Sequence, residues 1–329
     1  MASQPVSDLY PLELGRFLSP RLWGGDRLVS FLGLPEPAGD EPLGESWQIY
    51  GGNRVLSGSF QGKTLDEVSA ELGAALIGTV AAERYGDTFP LLAKFIDAAD
   101  KLSIQVHPDD AYAHEHEAAS GFHGKSEAWL ILEAGADAGI IWGFKDALTP
   151  EEVGGAAASE RLEPHLNFVS VKAGDVVYNP AGTVHAIGAG IFLFEIQQAS
   201  DLTYRLYDYG RKDSQGNPRD LHLGKALEVA DLTPGEHALV TPKPLAEGKT
   251  ELLKTEFFAF ERWEVLGDLQ ETTEPTSAEL LTVVSGELTL RAGDAETVLT
   301  RGGSCVLPAL LGAYRLSGEG ALLRCYVPA

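Results

Sequence analysis

The stretch VVYNPAGTVHAIGAGIFLFEIQ, residues 176–197, reads as three short β-strands separated by tight turns. Residues 176–178 and 191–197 are runs of β-branched and aromatic side chains, the kind that pack well on a pleated surface. Between them, Asn179-Pro180-Ala181-Gly182 punctuates a turn that feeds a strand starting at His185. The same texture extends outward, with runs at 129–132, 139–142, 168–172 and 204–207. After a loop rich in Pro and charge at 232–249 it returns at 280–284, 287–290, 305–307 and 321–326. Strands this short, regularly spaced and bounded by turn residues predict a mainly β protein of sandwich or barrel type, not a parallel α/β sheet.

Helices are few and carry clear start signals. Thr64-Leu65-Asp66-Glu67 is a capping box that opens an Ala/Leu-rich stretch running to about Arg84. Asp109 can cap a short helix after Pro108, and Thr149-Pro150-Glu151-Glu152 opens a third with Pro at the first helical position. The chain also repeats itself faintly. KAGDVVYNP at 172–180 aligns with TRGGSCVLP at 300–308, each a Gly turn, a strand and a Pro six positions after the first Gly. His185 follows Pro180 by five residues, whereas Ala313 holds that place after Pro308, and no histidine follows His237. This predicts two related barrels, a metal-binding part over 1–240 that carries the helices and a metal-free β domain over 241–329, with its barrel from about Gly248.

Composition bounds the function. The 329 residues carry 25 Lys and Arg against 48 Asp and Glu, a formal charge of −23, which disfavours nucleic acid and anionic membrane surfaces as partners. An anionic substrate therefore needs a local cluster of cations. Cys305 and Cys325 are the only cysteines and form no close-spaced metal motif. The first residues, MASQPVSDLYPLEL, have no basic segment followed by an apolar one, and no apolar run is long enough to span a bilayer. A cytoplasmic, monomeric protein acting on a small molecule is the expectation.

Three clusters could carry chemistry. In Leu102-Ser103-Ile104-Gln105-Val106-His107-Pro108, Gln105 and His107 are two apart on a strand and so share a face. Lys125, Glu127 and Trp129 share a face of another, and His185 begins a third. Each alone has an ordinary structural explanation. Together, two imidazoles, a carboxylate and an amide oxygen make a four-ligand set without thiolate, which suits Zn²⁺ and is compatible with Mn²⁺, Co²⁺ or Fe²⁺. His114, His116 and His123 lie in an acidic, Gly-containing stretch, and the first two cannot share a helix face, which points to the surface. Further on, Glu195 and Gln197 share one strand face and Arg205, Tyr207 and Tyr209 another. Arg205 and Arg211 are candidate anion clamps, or else partners of Asp201 and Asp208.

QVHPDD at 105–110, GKSEAW at 124–129 and NPAGTVHAIGAGIFLFEIQQASDLTYRLYDYGR at 179–211, in that order, resemble type I mannose-6-phosphate isomerase (phosphomannose isomerase). PRLWGGDRL and GESW near the amino terminus resemble that family too, so the likeness spans residues 10–235. Beyond it the similarity is one of β pattern only. The resemblance implies two cupin-type (jelly-roll) β-barrels and one zinc ion per chain bound by Gln105, His107, Glu127 and His185. It implies interconversion of mannose 6-phosphate and fructose 6-phosphate through a cis-enediol(ate). It puts Arg205, Lys125 and Glu195 in the catalytic machinery and Asp201 at an active-site position. Arg205 leads the candidates for the phosphate, followed by Lys125 and Arg211. The interval from His185 to Glu195 is one residue longer than in the fungal and animal enzymes. With 57 residues between Glu127 and His185 (185 − 127 − 1), there is no room for the inserted helical domain of the long enzymes, so the chain resembles the short bacterial form. Competing readings are an iron-dependent cupin oxygenase, which the amide ligand disfavours, a non-catalytic sugar-binding or regulatory cupin, and an isomerase of another hexose 6-phosphate.

Overall fold

The computed structural model describes residues 9–35, 42–212, 216–235 and 238–329. Its strands form three sheets. The first has seven strands in the order Leu239–Val240, Val176–Asn179, Glu127–Ala134, Ile191–Gln198, Leu91–Ala98, Leu43–Ile49, Phe17–Gly25. Facing it is a five-stranded sheet, Tyr204–Tyr207, Ile104–Val106, His185–Ile187, Gly139–Phe144, Leu166–Ser170. All pairings between these strands are antiparallel, the arrangement of a double-sheet jelly roll. The carboxy-terminal sheet follows the same order as the first: Leu12–Glu13, Ser304–Leu307, Glu279–Ala292, Ala313–Tyr326, Ala259–Thr272, Lys249–Lys254, Lys243–Ala246. Ala295–Thr300 pairs with the outer half of Glu279–Ala292. Among the described residues, all seven helices precede residue 230, and none is long and apolar enough to cross a membrane.

The sequence echo is a structural one. Gly174 N–H donates to the Ile131 carbonyl (2.9 Å) and Ile131 N–H to Asp175 (2.9 Å); Gly302 N–H donates to Val283 (2.7 Å) and Val283 N–H to Gly303 (2.9 Å). Both glycines need positive φ, 92° and 79°, which no β-branched residue tolerates cheaply. The strand registers then match the two barrels residue by residue. Glu127 opposes Asn179 as Glu279 opposes Leu307, and Gln105 opposes His185 as Thr272 opposes Ala313.

The core is continuous between the halves. Phe95 and Phe194 of the first sheet belong to the same buried cluster as Phe260, Leu280 and Leu323, with the Phe194 and Phe260 ring centroids 5.7 Å apart. Three expectations change in detail. Residues 64–84 form three short helices, Leu65–Leu72, Ala74–Ile77 and Thr79–Tyr85, although the Thr64–Glu67 capping box is present. The breaks fall at Gly73 and Gly78 (φ 51° and 90°), and a Cβ at Gly78 would collide with the backbone of Thr276 and Ser277. There the chain bonds to the carboxy-terminal half, Thr79 N–H to Pro275 (3.0 Å) and Val80 N–H to Thr276 (3.1 Å), so docking overrides helix continuity. The runs at 280–284 and 287–290 are one strand, Glu279–Ala292, bent at a bulge between Val283 and Ser285. The run at 168–172 shifts to Leu166–Ser170.

Inside the second barrel the counterpart of Glu127 has a different occupation. Glu279 accepts from Arg324 Nη2 (2.8 Å) and Tyr314 Oη (2.7 Å), while Arg324 Nη1 donates to Glu261 (3.0 Å). Removing Arg324 leaves two buried carboxylates facing each other. Arg324→Met is expected to lower the unfolding free energy by about 3–5 kcal/mol, read as a fall in the denaturant midpoint. A loss below about 1 kcal/mol, the range of exposed ion pairs, would mean that water screens this cluster.

Candidate metal centre

Gln105, in the Ile104–Val106 strand, pairs directly with His185, the first residue of His185–Ile187. His107 follows two residues along the same chain, and Glu127 opens its own strand on the facing sheet. The four side chains therefore meet where strand ends of the two sheets converge. His107, Glu127 and His185 are each 1% exposed, and their ligand atoms all lie within 4.8 Å of one another. Glu127 oxygens stand 3.4 Å from His107 Nε2 and 3.2 Å from His185 Nε2. Tetrahedral bonds of about 2.0–2.1 Å put neighbouring donors roughly 3.3–3.4 Å apart, so these spacings suit a single ion.

The tautomers are set from outside. His107 Nδ1 donates to the Leu202 carbonyl (2.8 Å) and His185 Nδ1 to Thr183 (2.8 Å), which leaves both Nε2 lone pairs aimed inward. His107 Nε2 and Glu127 Oε1 are buried and make no hydrogen bond, and Glu127 Oε2 faces only the Lys125 ammonium among cationic side chains, 3.1 Å away. Unsatisfied polar atoms at this depth are costly, and a cation at their meeting point satisfies all of them. Gln105 Nε2 lies 3.4 Å from His185 Nε2, and a half-turn of the amide brings its acceptor oxygen to the same point. Burial and the Lys125 charge push His107 down to about 3, so its imidazole is neutral, the form a metal would need. Burial pushes Glu127 up, but Lys125, with Nζ 3.1 Å away, and the two imidazoles outweigh it and hold the carboxyl well below the usual range.

A cavity of about 370 Å³ reaches this cluster at Gln105. Lys125, Glu195, Asp201 and Arg205 line it with Gln105. Glu195 Oε2 accepts from Trp129 Nε1 (2.8 Å), and burial followed by repulsion from Glu127 raises its pKa. Arg205 pairs across the sheet with Gln105, and its guanidinium donates to Ser103 Oγ (3.1 Å) and the Asp220 carbonyl (2.8 Å), not to Asp201. Arg211 does not line this cavity. It lies in an adjoining hollow, paired with Asp208 as the structural alternative had it. His114 and His123 bond to each other (2.9 Å) away from the site.

Four charged residues of the cavity escaped sequence reading: Arg21, Glu45, Lys94 and Arg219. Lys94 Nζ lies 2.9 Å from Glu195 and 3.3 Å from Glu45, whose other oxygen accepts from Arg21 Nη2 (2.6 Å). Burial alone would lower the Lys94 pKa, but Glu195, Glu45 and Glu127 raise it, so it stays charged. The signal for Lys94 was present, a lysine inside the buried run LLAKFIDA at Leu91–Ala98. Glu45 and Arg21 lie in the GESW and PRLWGGDRL segments, where a charge flanking an apolar run looks like a strand end. Arg219 sits in an irregular loop with no periodic signal.

Comparison with known proteins agrees with this geometry. Residues 12–127 match the family described as phosphomannose isomerase type I, catalytic domain, and residues 248–327 match mannose-6-phosphate isomerase, cupin domain. A mannose-6-phosphate isomerase of Streptococcus mutans is 38% identical over 94% of this chain and 96% of its own. The crystal structure of the mannose 6-phosphate isomerase from Bacillus subtilis superposes with a TM-score of 0.85 at 33% identity, covering 96% of this chain and 99% of that one. A zinc-bound mannose 6-phosphate isomerase structure shares the fold at a TM-score of 0.78 and 20% identity, covering 97% of this chain and 100% of that one. With its fold, cavity and full-length relatives in agreement, the chain belongs to the type I mannose-6-phosphate isomerase family.

Proposed function

We propose that this protein interconverts mannose 6-phosphate and fructose 6-phosphate, using one zinc ion per chain held by Gln105, His107, Glu127 and His185. The observation that carries the proposal is the buried His107, Glu127 and His185 cluster, whose ligand atoms all lie within 4.8 Å of one another, next to Gln105, which lines a cavity with Lys94, Lys125, Glu195 and Arg205. When bound there, zinc supplies a Lewis acid that polarises the sugar oxygens. The reaction moves a proton between C2 and C1 through a cis-enediol(ate). Glu195 is the proposed acceptor and donor, since its pKa is raised while those of the buried Glu127 and Glu45 are lowered, which makes it the most basic of the three. Lys94 keeps the Glu195 carboxylate in place. Lys125 and Arg205 offer N–H groups to the oxygen that gains charge, and in a buried site such donors act with little screening. Asp201, at the cavity edge, is assigned to the sugar hydroxyls.

The second barrel, with Thr272 and Ala313 where Gln105 and His185 stand in the first, is proposed to be structural, with the division near residue 240. The site is complete within one chain, and Cys305 and Cys325 are free and buried, which supports a monomer in a reducing, cytoplasmic setting. A coupled assay with mannose 6-phosphate, glucose 6-phosphate and unphosphorylated mannose tests the activity. Turnover with mannose 6-phosphate well above the other two is expected, lost with chelator. Binding of mannose 6-phosphate without turnover would instead favour a sugar-binding cupin, and preference for glucose 6-phosphate an isomerase of that sugar.

A further inference from the structure

We infer that His222 is a positioning residue for the isomerisation: its imidazole holds the outermost strand of the five-stranded sheet, and with it Arg205, in place. The inference rests on the proposed isomerase reading, in which Arg205 acts in the cavity. Tyr204–Tyr207 has only the Ile104–Val106 strand beside it. An edge strand leaves backbone groups facing outward that need partners. At Arg205 a single residue supplies both. The His222 N–H donates to the Arg205 carbonyl (2.8 Å), and the Arg205 N–H donates to His222 Nδ1 (3.2 Å). Two residues earlier, the Asp220 carbonyl accepts from Arg205 Nη1 (2.8 Å). The segment 220–222 thus grips Arg205 at its backbone and its guanidinium, while Nε donates to Ser103 Oγ in the cavity wall (3.1 Å).

Helix capping does not account for this histidine. His222 immediately precedes the helix Leu223–Val229, yet its side chain makes no capping bond to it. A backbone N–H can only donate, so Nδ1 must be the unprotonated nitrogen of the ring. Protonating Nδ1 would set two donors face to face and break the bond. The charged groups around the ring are Arg205 on the strand, Asp220 on the loop, Lys225 on the helix and Glu117, with the Tyr204 ring centroid 6.3 Å away. Burial and then the Arg205 charge, helped by Lys225 and partly opposed by Asp220 and Glu117, lower the His222 pKa from the ordinary histidine value. The ring is therefore neutral near pH 7, and the grip is lost as the pH falls through that pKa. Because Arg205 lines the cavity and opposes Gln105, a shift of its backbone carries the guanidinium away from its working position.

The test compares wild type with two variants. His222→Asn offers Oδ1 in the place of Nδ1 and does not titrate, whereas His222→Leu has no acceptor. Leaving the Arg205 N–H without its partner is expected to lower kcat for mannose 6-phosphate about 5- to 100-fold in His222→Leu. His222→Asn should recover most of that loss. Between about pH 5 and 7 it should also lack the part of the acid fall in kcat that wild type owes to His222; any fall due to Glu195 is common to both proteins. In the Arg205→Ala background, His222→Leu should cost almost nothing further, because it acts through Arg205. Metal content and melting temperature close to wild type certify folded protein. An identical acid fall in wild type and His222→Asn, or an equal loss from leucine with and without Arg205, would overturn the inference. Wild-type turnover of mannose 6-phosphate reports separately on the isomerase reading. Were it absent, NMR still tests the grip: the Arg205 amide resonance should move as His222 titrates in wild type and stay put in His222→Asn, and a resonance indifferent to that titration would overturn it.

Discussion

His185→Ala is expected to yield a folded protein with far less than one metal per chain and about a thousandfold lower kcat for mannose 6-phosphate. His185 is one of two imidazoles whose Nε2 atoms face Glu127, and its Nδ1 is committed to Thr183. Alanine removes a donor without another side chain to replace it, and a three-ligand remnant binds zinc far less tightly. Metal polarisation of the substrate is worth several kcal/mol, which at about 1.4 kcal/mol per tenfold is on the order of 10³ in rate. The fold should survive, because the largest cluster of buried apolar residues is built from the seven-stranded sheet, the helices at 65–85 and the carboxy-terminal sheet, and not from the strands that carry Gln105 and His185. Elemental analysis checks the ligand assignment directly, and metal near one per chain in His185→Ala would refute it.

Arg205→Ala should lower kcat/KM by roughly 30- to several-thousand-fold, from about 2–5 kcal/mol for a buried charge-assisted contact. Its place in the sheet decides how that loss is distributed. Arg205 opposes Gln105, one of the four proposed metal ligands, and on that ground we propose that it acts at the reacting carbons. The same factor should therefore be lost with mannose 6-phosphate and with mannose. A loss confined to the phosphorylated sugar would move Arg205 to the phosphate, where the sequence alone had placed it first.

Much of this protein was legible before its structure. The three motifs carried the residues of the buried cluster because strand alternation puts Gln105 with His107, and Lys125 with Glu127, on common faces. The Gly turns at 174 and 302 betrayed the repeated barrel because positive φ leaves few alternatives to glycine. What remained hidden depended on distant partners. No local pattern says that the 64–84 stretch must break at Gly78, since the cause is backbone 200 residues away at Thr276 and Ser277. The inverted charges of the second barrel were hidden for the same reason. Lys94 faces Glu195 in the first barrel, and Glu261 faces Arg324 at the matching positions of the second. Arg219 reaches the cavity from an irregular loop, and only tertiary packing brings it to Asp208.

The most direct test of the account is a zinc titration of the metal-stripped protein, followed by the mannose 6-phosphate assay. Activity is expected to be absent at the start, to rise in proportion to added zinc and to reach its plateau at one equivalent per chain. Full activity in the stripped protein, or a plateau only at two equivalents, would contradict a single metal held by Gln105, His107, Glu127 and His185.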